Sequence, residues 1–260
     1  MSGREPSFHV DVVIPSVSPA GDTVTAIGED AFAFANIKSV QLPDTLKLIG
    51  GDAFSWNNSL LEVSIPASVT YIGAHAFGSC ETLRVVDIPA NSQLTCIDSS
   101  AFYYCYNLID IIIPETVTSI GASAFAFCHD LEAVIPKSVT YIGDYAFQYT
   151  AKVTFAPDSP LTEIGEGVFM GCHTHYFILP SNIKTIGDYA FQGCDSQGFF
   201  FPAGLTEIGY ATFDAEGAIW FYYEGTEEAW NKITIGEKNE ALFGTPTNTS
   251  WVTASLPGRP

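Results

Sequence analysis

A short sequence repeat constrains this chain more than any other feature. The pattern Ile-Gly-x-x-Ala-Phe, or a near variant, ends at nine phenylalanines: Phe32, Phe54, Phe77, Phe102, Phe125, Phe147, Phe169, Phe191 and Phe213. Successive motifs lie 22 to 25 residues apart, and an apolar residue followed by proline recurs with the same period. Self-similarity of this kind is typical of solenoids, in which each coil buries its apolar face only against its neighbours.

One repeat, residues 60–77, shows how a coil is expected to form. Val63 and Ile65 alternate with polar residues, which indicates a strand with one buried face. Pro66 cannot donate to a sheet ladder, so it ends that strand. Gly73 is expected to supply backbone freedom at the next corner. Phe77 is expected to point inward and stack on the phenylalanine of the adjacent coil.

The cysteines follow the repeat. Five of the six stand three residues after a motif phenylalanine: Cys80, Cys105, Cys128, Cys172 and Cys194. Asn57 holds that position in another coil, and only Cys96 lies outside the register. Because they keep repeat register and lack CxxC pairing, these cysteines are interpreted as buried thiols and not as disulfides or metal ligands. Cys172-His173-x-His175 is the one metal-like cluster, and its cysteine belongs to the core.

The working unit Ile-Gly-x-x-Ala-Phe-x-x-Cys-x-x-Leu-x-x-Val-x-Ile-Pro resembles the BspA-like, treponeme-type leucine-rich repeats over about residues 9–236. The resemblance implies an α/β-type solenoid that is mostly β. It would be a right-handed leucine-rich-repeat solenoid of about nine coils of 22–23 residues, with N- and C-terminal caps. Members of that family are typically surface or secreted proteins of host-associated bacteria. Several are adhesins that bind host matrix proteins or other microbes.

The chain is expected to divide into four segments: an N-terminal tail (1–8), the solenoid (9–221), a C-terminal capping module (222–243) and a flexible tail (244–260). In the capping module Thr226 can cap a short helix whose first turn is acidic. Trp230 would then cover the last coil, since an open solenoid end exposes both core and strand edge.

Composition narrows the classes of function. Ten Lys and Arg stand against 29 Asp and Glu, a formal net charge of −19, which disfavours nucleic acid and anionic lipid surfaces. The sequence has no run of 18 apolar residues, so membrane insertion is not expected. Phosphate-binding loops and nucleophile elbows are also missing. The sequence therefore predicts a non-catalytic protein without a cofactor or metal.

The outward side chains of the predicted strands indicate where a partner could bind. Counting back from each proline, positions minus 2 and minus 4 should point outward. The minus-2 row is polar at Gln41, Ser64 and Asp87 and apolar in later coils. The predicted partner-binding residues on these outward positions are Ile112, Val134, Phe155, Tyr176, Ile178, Phe200, Trp220 and Tyr222. As an alternative, shortened strands before Pro157 and Pro202 would shift register and turn Phe155 or Phe200 inward.

These features predict a protein-binding or adhesion module, extracellular or at the cell surface, whose solenoid surface faces a host or microbial partner. That partner would be a protein, such as a host matrix or microbial surface protein, or a glycan, and the chain itself a monomer or weak homodimer. The alternative is an intracellular, cytoplasmic or multi-domain scaffold module, favoured by free thiols and by an N-terminus without an apolar signal stretch. Tyr103, Tyr104 and Tyr106 crowd one loop and are interpreted as packing and surface decoration, not as a carbohydrate platform.

Overall fold

Short parallel strands, two in each coil, build a solenoid of about nine coils in the computed structural model, which describes residues 9–213 and 220–242. The strands in chain order are β1 Val10–Val13, β2 Ala26–Ile27, β3 Ile37–Gln41, β4 Leu48–Ile49, β5 Glu62–Ser64, β6 Tyr71–Ile72, β7 Val85–Asp87, β8 Cys96–Ile97, β9 Asp110–Ile111, β10 Ser119–Ile120, β11 Glu132–Ile135, β12 Tyr141–Ile142, β13 Lys152–Phe155, β14 Glu163–Ile164, β15 Tyr176–Ile178, β16 Thr185–Ile186, β17 Gly198–Phe201, β18 Glu207–Ile208, β19 Trp220–Tyr223 and β20 Thr234–Ile235. The predicted tails, 1–8 and 244–260, lie outside the described residues.

The two sets of strands form two faces of the solenoid. Odd-numbered strands lie side by side on the sheet face, where they are hydrogen-bonded in the groups β1–β3, β5–β7–β9, β11–β13 and β15–β17–β19. Even-numbered strands form the opposite, short-strand face in two groups, β2 to β12 and β14 to β20. Every named strand pair is parallel, so equivalent residues of successive coils lie next to one another.

The Ala-Phe motif lies in the turns of a third side, the turn face. Here too successive coils are hydrogen-bonded, since the amide of Phe54 donates to the carbonyl of Ala76 at 2.8 Å. Most of these turns place two residues at positive φ, as at Asp52 (50°) and Trp56 (61°). A left-handed residue reverses the chain direction in little space, which lets the motif side chains enter the core.

A column of motif phenylalanines runs along the solenoid axis and confirms the predicted stacking. Neighbouring rings from Phe32 to Phe213 are 5.3 to 6.0 Å apart between centroids and within 17° of parallel. Phe77 is fully buried, as is the Ala76 that precedes it. Each ring buries its faces on the rings above and below, so a coil depends on both neighbours for its core.

Gly73 corrects one expectation from the sequence. Its backbone φ lies outside the left-handed region, so conformational freedom does not explain the glycine. A Cβ at this position would instead lie 2.8 Å from the carbonyl carbon of Gly50 in the preceding coil. Glycine is therefore required because the coil backbones approach each other too closely at this corner for any side chain.

The cysteine positions form a second internal column. The thiols of Cys80, Cys105, Cys128, Cys172 and Cys194 each donate to the carbonyl of the motif phenylalanine one coil earlier, at 3.0 to 3.2 Å. All six cysteines are free thiols, and the first four of this column are fully buried. The interpretation of these cysteines as core residues is confirmed. The column explains why a small hydrogen-bond donor recurs at this position.

The C-terminal end is covered by a short helix, α1 (Glu227–Trp230), and a 3₁₀ helix at Glu240–Leu242. Thr226 accepts a hydrogen bond from the amide of Ala229 at 3.2 Å, which confirms the predicted cap. Trp230 is 7% exposed and packs on Tyr223, with 5.3 Å between ring centroids. In the part of the chain that the structure describes, no helix has the length and apolar character needed to cross a bilayer.

Candidate binding surface

The sheet face presents the outward side chains of the odd-numbered strands on a rigid parallel ladder. In the middle coils, Ile112 is 72% exposed and Val134 is 58% exposed. The residues on either side of them along the strand, such as Ile111 and Ile113, are buried. Alternation therefore places apolar side chains in water here, where a polar residue would be less costly.

Phe155 does not belong to this outward row, so its predicted outward orientation is wrong. It pairs with the buried Ile135, so Thr154 takes the outward position after Val134. The Phe155 ring is partly buried and packs edge-on against the core ring of Phe169, with 5.7 Å between centroids. The cause is the position of the proline, because Pro136 directly follows Ile135 whereas Ala156 stands between Phe155 and Pro157. The alternative of a shifted register is therefore right for Phe155.

Phe200 keeps the outward register, and four other predicted residues come together around it. This group, called the aromatic sheet patch, consists of Tyr176, Ile178, Phe200, Trp220 and Tyr222. Ile178, Phe200 and Tyr222 are direct neighbours across β15, β17 and β19. The Phe200 and Tyr222 rings stack at 4.5 Å and 5°, which leaves both half-buried.

Gly198 leaves room for the side chains on either side of it in the aromatic sheet patch. Tyr176 and Trp220 both pair with Gly198, and a Cβ there would lie 3.2 Å from the Tyr176 ring. Tyr176 is 44% exposed and donates its hydroxyl to the side-chain oxygen of Gln197 at 3.1 Å. Trp220 is 39% exposed. The patch thus offers ring surface with polar groups at its edge, the composition typical of protein-binding hot spots.

The first coils give the same face a different character. Glu62 and Asp87 are exposed at outward positions, and Ser39 donates its hydroxyl to Asp11 at 2.5 Å. Later in the solenoid, Lys152 on β13 forms an exposed ion pair with Glu132 on β11, with 3.3 Å between the charged atoms. An exposed pair of this kind contributes only about 0–1 kcal/mol. The sheet face therefore changes from acidic to apolar along the solenoid.

The metal-like cluster does not assemble into a site. Cys172 is fully buried and burial raises the pKa of its thiol to about 12, whereas His173 and His175 are exposed. Burial also raises the pKa of Cys80 to about 12. Such thiols stay protonated at neutral pH and are poor nucleophiles. Across residues 9–213 and 220–242, no three His, Cys, Asp or Glu side chains come together in a way that could hold a metal ion.

Aromatic residues also gather on the turn face, around the loop that holds Tyr103, Tyr104 and Tyr106. Phe127, His129 and Tyr149 join them from the two following coils. The repeat could have predicted this clustering, since Tyr104, Phe127 and Tyr149 all stand two residues after a motif phenylalanine. Residues that share a repeat position are neighbours in a solenoid even when about 22 residues separate them in sequence.

Comparisons with known proteins agree with this architecture. The chain is similar to a solved leucine-rich repeat protein from Bacteroides ovatus ATCC 8483, with 26% identity and a TM-score of 0.61 over 87% of this chain and 59% of that one. It thus spans less than two thirds of that relative. A leucine-rich repeat protein of T. pallidum is 24% identical, with a TM-score of 0.43 over 85% of this chain and 80% of that one. The search of curated proteins found no match.

A family model decides the assignment. The model described as a BspA type leucine rich repeat region in six copies matches residues 25–154 and 151–219, which is well over half of the chain. The matched stretch includes most of the phenylalanine and cysteine columns. The chain therefore belongs to the family of BspA-type leucine-rich repeat proteins.

Proposed function

We propose that this protein is a binding module that works outside the cell or at the cell surface and attaches to a host or microbial surface protein through its sheet face. Family membership supports the location, because BspA-type repeat proteins are typically surface-associated. Solenoids generally use an extended face of stacked strands to bind partners. The proposal is for binding without catalysis.

The aromatic sheet patch is the observation that carries the proposal. Trp and Tyr are enriched among the residues that dominate binding energy at protein interfaces. Here Trp220, Tyr176 and Tyr222 stand together on rigid strands, so little conformational entropy is lost when they are covered. Ile112 and Val134 extend the apolar surface toward earlier coils.

The acidic coils beside this surface define the chemistry of the partner. Glu62 and Asp87 would face the same partner surface as the apolar residues. A partner with basic side chains next to an apolar cluster is complementary in charge, and such complementarity raises association rates at low salt. The partner should therefore bind more slowly as salt is raised, while the apolar contact persists.

The test is an array of purified host matrix proteins and bacterial surface proteins, probed with wild type and two variants. Ile178→Asp places a charge in the aromatic sheet patch without removing a core side chain, because Ile178 is 49% exposed. Leu48→Asp places the same charge on the short-strand face, at an apolar residue that is 39% exposed. We expect at least one bound protein, a loss of tenfold or more with Ile178→Asp, and unchanged binding with Leu48→Asp.

Two outcomes would contradict the proposal. One is an array on which the wild type binds no protein above background. The other is an Ile178→Asp variant that melts like the wild type and still binds its partner equally well, since the patch would then contribute nothing.

A further inference from the structure

A second aromatic surface lies on the turn face, away from the sheet face. The turn-face aromatic cluster comprises Tyr103, Tyr104, Tyr106, Phe127, His129 and Tyr149. Ring centroids are 4.7 Å apart between Tyr104 and Phe127 and 5.1 Å apart between Phe127 and Tyr149. Tyr149 is 40% exposed and His129 is exposed, so the cluster is in contact with solvent.

The backbone under this cluster is left-handed, a conformation that favours glycine. Tyr104, Phe127 and Tyr149 have φ values of 58°, 64° and 54°, and the next two coils have glycine at the same position. The first three coils also have a left-handed residue other than glycine there, so the conformation belongs to the repeat. Ring contacts between neighbouring coils compensate for its cost. Glycine builds the same turn at Gly171, against which the Tyr149 ring lies, so a ring is not needed to form it.

The charges around the cluster limit what could bind there. In each of the eight coils from Phe32 to Phe191, the four residues after the motif phenylalanine include neither Lys nor Arg. Glu81 lies near Tyr106, and Asp130 directly follows His129. The one cation close by in sequence, Lys152, is paired with Glu132. With a net charge of −19 for the chain, phosphate, sulfate and carboxylate ligands are disfavoured. The ligand is therefore neutral or cationic.

The ring arrangement favours a neutral ligand that is itself rich in hydroxyls. Tyr103 and Tyr104 pack on each other at 4.1 Å and 36°, and Tyr104 also stacks on Tyr106 at 5.3 Å. The ring surface most open to solvent is therefore that of Tyr149 and His129. Tyr106 and His129 lie in a second, parallel pair at 5.4 Å. Their hydroxyl and ring nitrogens supply both donors and acceptors beside the apolar ring faces.

We propose that the turn-face aromatic cluster is a binding site for a neutral carbohydrate. The C–H face of a pyranose ring would pack on the exposed part of the Tyr149 ring, beside Phe127 and Tyr104. Its hydroxyls would hydrogen-bond to the groups of Tyr106, His129 and Tyr149. The site extends along successive coils, so it suits an oligosaccharide better than a single sugar. It is separate from the sheet face and does not depend on the protein-binding function.

Glycine substitutions test this site without damaging the turn. Tyr104→Gly and Tyr149→Gly each remove a ring at a position where the backbone favours glycine. Ser100→Gly is the matched control, because Ser100 has a φ of 57° in the same coil as Tyr104 and carries no ring. The ligands are neutral hexasaccharides of glucose, xylose, mannose and N-acetylglucosamine, with heparin as the anionic probe and an arginine-rich peptide as the cationic one. Binding is measured by titration calorimetry.

We expect the wild type to bind at least one neutral hexasaccharide and not heparin. Tyr104→Gly and Tyr149→Gly should weaken that binding tenfold or more and melt within a few degrees of the wild type. Ser100→Gly should bind like the wild type, and so should Ile178→Asp, which separates this site from the sheet face. The proposal is overturned if no neutral hexasaccharide binds, if heparin or the peptide binds in its place, or if both ring deletions leave binding unchanged.

Discussion

Asn57 occupies the cysteine column next to a coil whose sheet strand begins early. Ile37 follows its motif phenylalanine by five positions, whereas the equivalent Leu60 follows its own by six. In the second coil the amide of Leu60 donates to a carbonyl of its own turn, that of Asn57, at 3.1 Å. The equivalent amide of Ile37 instead donates to the side-chain oxygen of Asn57 at 2.8 Å. An asparagine thus provides the acceptor that a thiol cannot.

Replacing Asn57 with alanine should destabilise the N-terminal coils by about 3–5 kcal/mol. The fully buried amide of Ile37 would lose its acceptor, which costs about 1–3 kcal/mol. The side-chain amide also donates to the carbonyls of Phe32 (2.9 Å) and Phe54 (2.7 Å), and each lost bond removes about 1 kcal/mol. The Phe54 carbonyl keeps a second donor in the thiol of Cys80, which limits the loss.

Cys105→Ala is the matched control in the same column. It removes a fully buried side chain and one thiol bond to the carbonyl of Phe77, which still accepts from the amide of Cys80. No backbone amide loses its acceptor, so we expect a loss of only about 1 kcal/mol. Asn57→Cys should fall between the two variants, because it keeps a donor for the carbonyl of Phe32 but leaves the amide of Ile37 without a strong acceptor.

Urea unfolding followed by circular dichroism gives the stability of each variant, and hydrogen exchange reports the Ile37 amide itself. Exchange is needed because repeat arrays often unfold in parts, and a single midpoint then averages over coils. Asn57→Ala should expose the amide of Ile37 to exchange while amides beyond Phe147 stay protected. The reasoning is refuted if that amide remains as protected as in the wild type and Asn57→Ala is no less stable than Cys105→Ala.

Three further predictions concern the core, the thiols and the response to alkali. Phe125→Ala should lower the free energy of unfolding by about 3–5 kcal/mol, because it opens a cavity in the middle of the phenylalanine column. Urea unfolding measures this loss, and a loss below about 1 kcal/mol would contradict the stacking. Cys128 should react with a thiol reagent only after unfolding, whereas the half-buried Cys96 should react in the native protein. If mass spectrometry shows that both cysteines are modified at equal rates in the native protein, the column is not buried as described. A hydrogen bond to Glu166 and burial raise the pKa of Tyr145 from 10.0 to about 12. The contribution of this contact to stability is therefore present below pH 10 and lost as the pH rises through 12. A tyrosinate absorbance titration in which Tyr145→Phe removes no late-titrating group would argue against the contact.

Much of the fold could be predicted from the sequence because each coil repeats the same local instructions. Phe77, Cys80 and Ile65 are buried where the repeat register placed them, and Thr226 caps the short helix as expected. These positions are determined by strand alternation and by a recurring turn, both of which are local properties. The sequence predicted a glycine corner at Gly73 but not its cause, because the close backbone of Gly50 belongs to another coil.

The binding surfaces could be predicted only in part. Ile112 and Ile178 are exposed where counting back from proline placed them, but the same count failed at Phe155. The failure came from Ala156, an extra residue between the strand and its proline. The pairing with Ile135, and not the proline, decided which side chain faces the core. The turn-face aromatic cluster was overlooked because its members are scattered over three coils in the sequence.

The sequence by itself therefore determined the period, the composition of each coil and the inner columns, since every repeat carries the same apolar positions. Only the tertiary structure decided how one coil is aligned with the next, which turned Phe155 inward and left Phe200 outward. The physical reason is that coils are joined through backbone hydrogen bonds and side-chain packing between residues about 22 positions apart. Surfaces assembled across coils, such as Tyr104 beside Phe127 and Tyr149, exist only after that alignment is set.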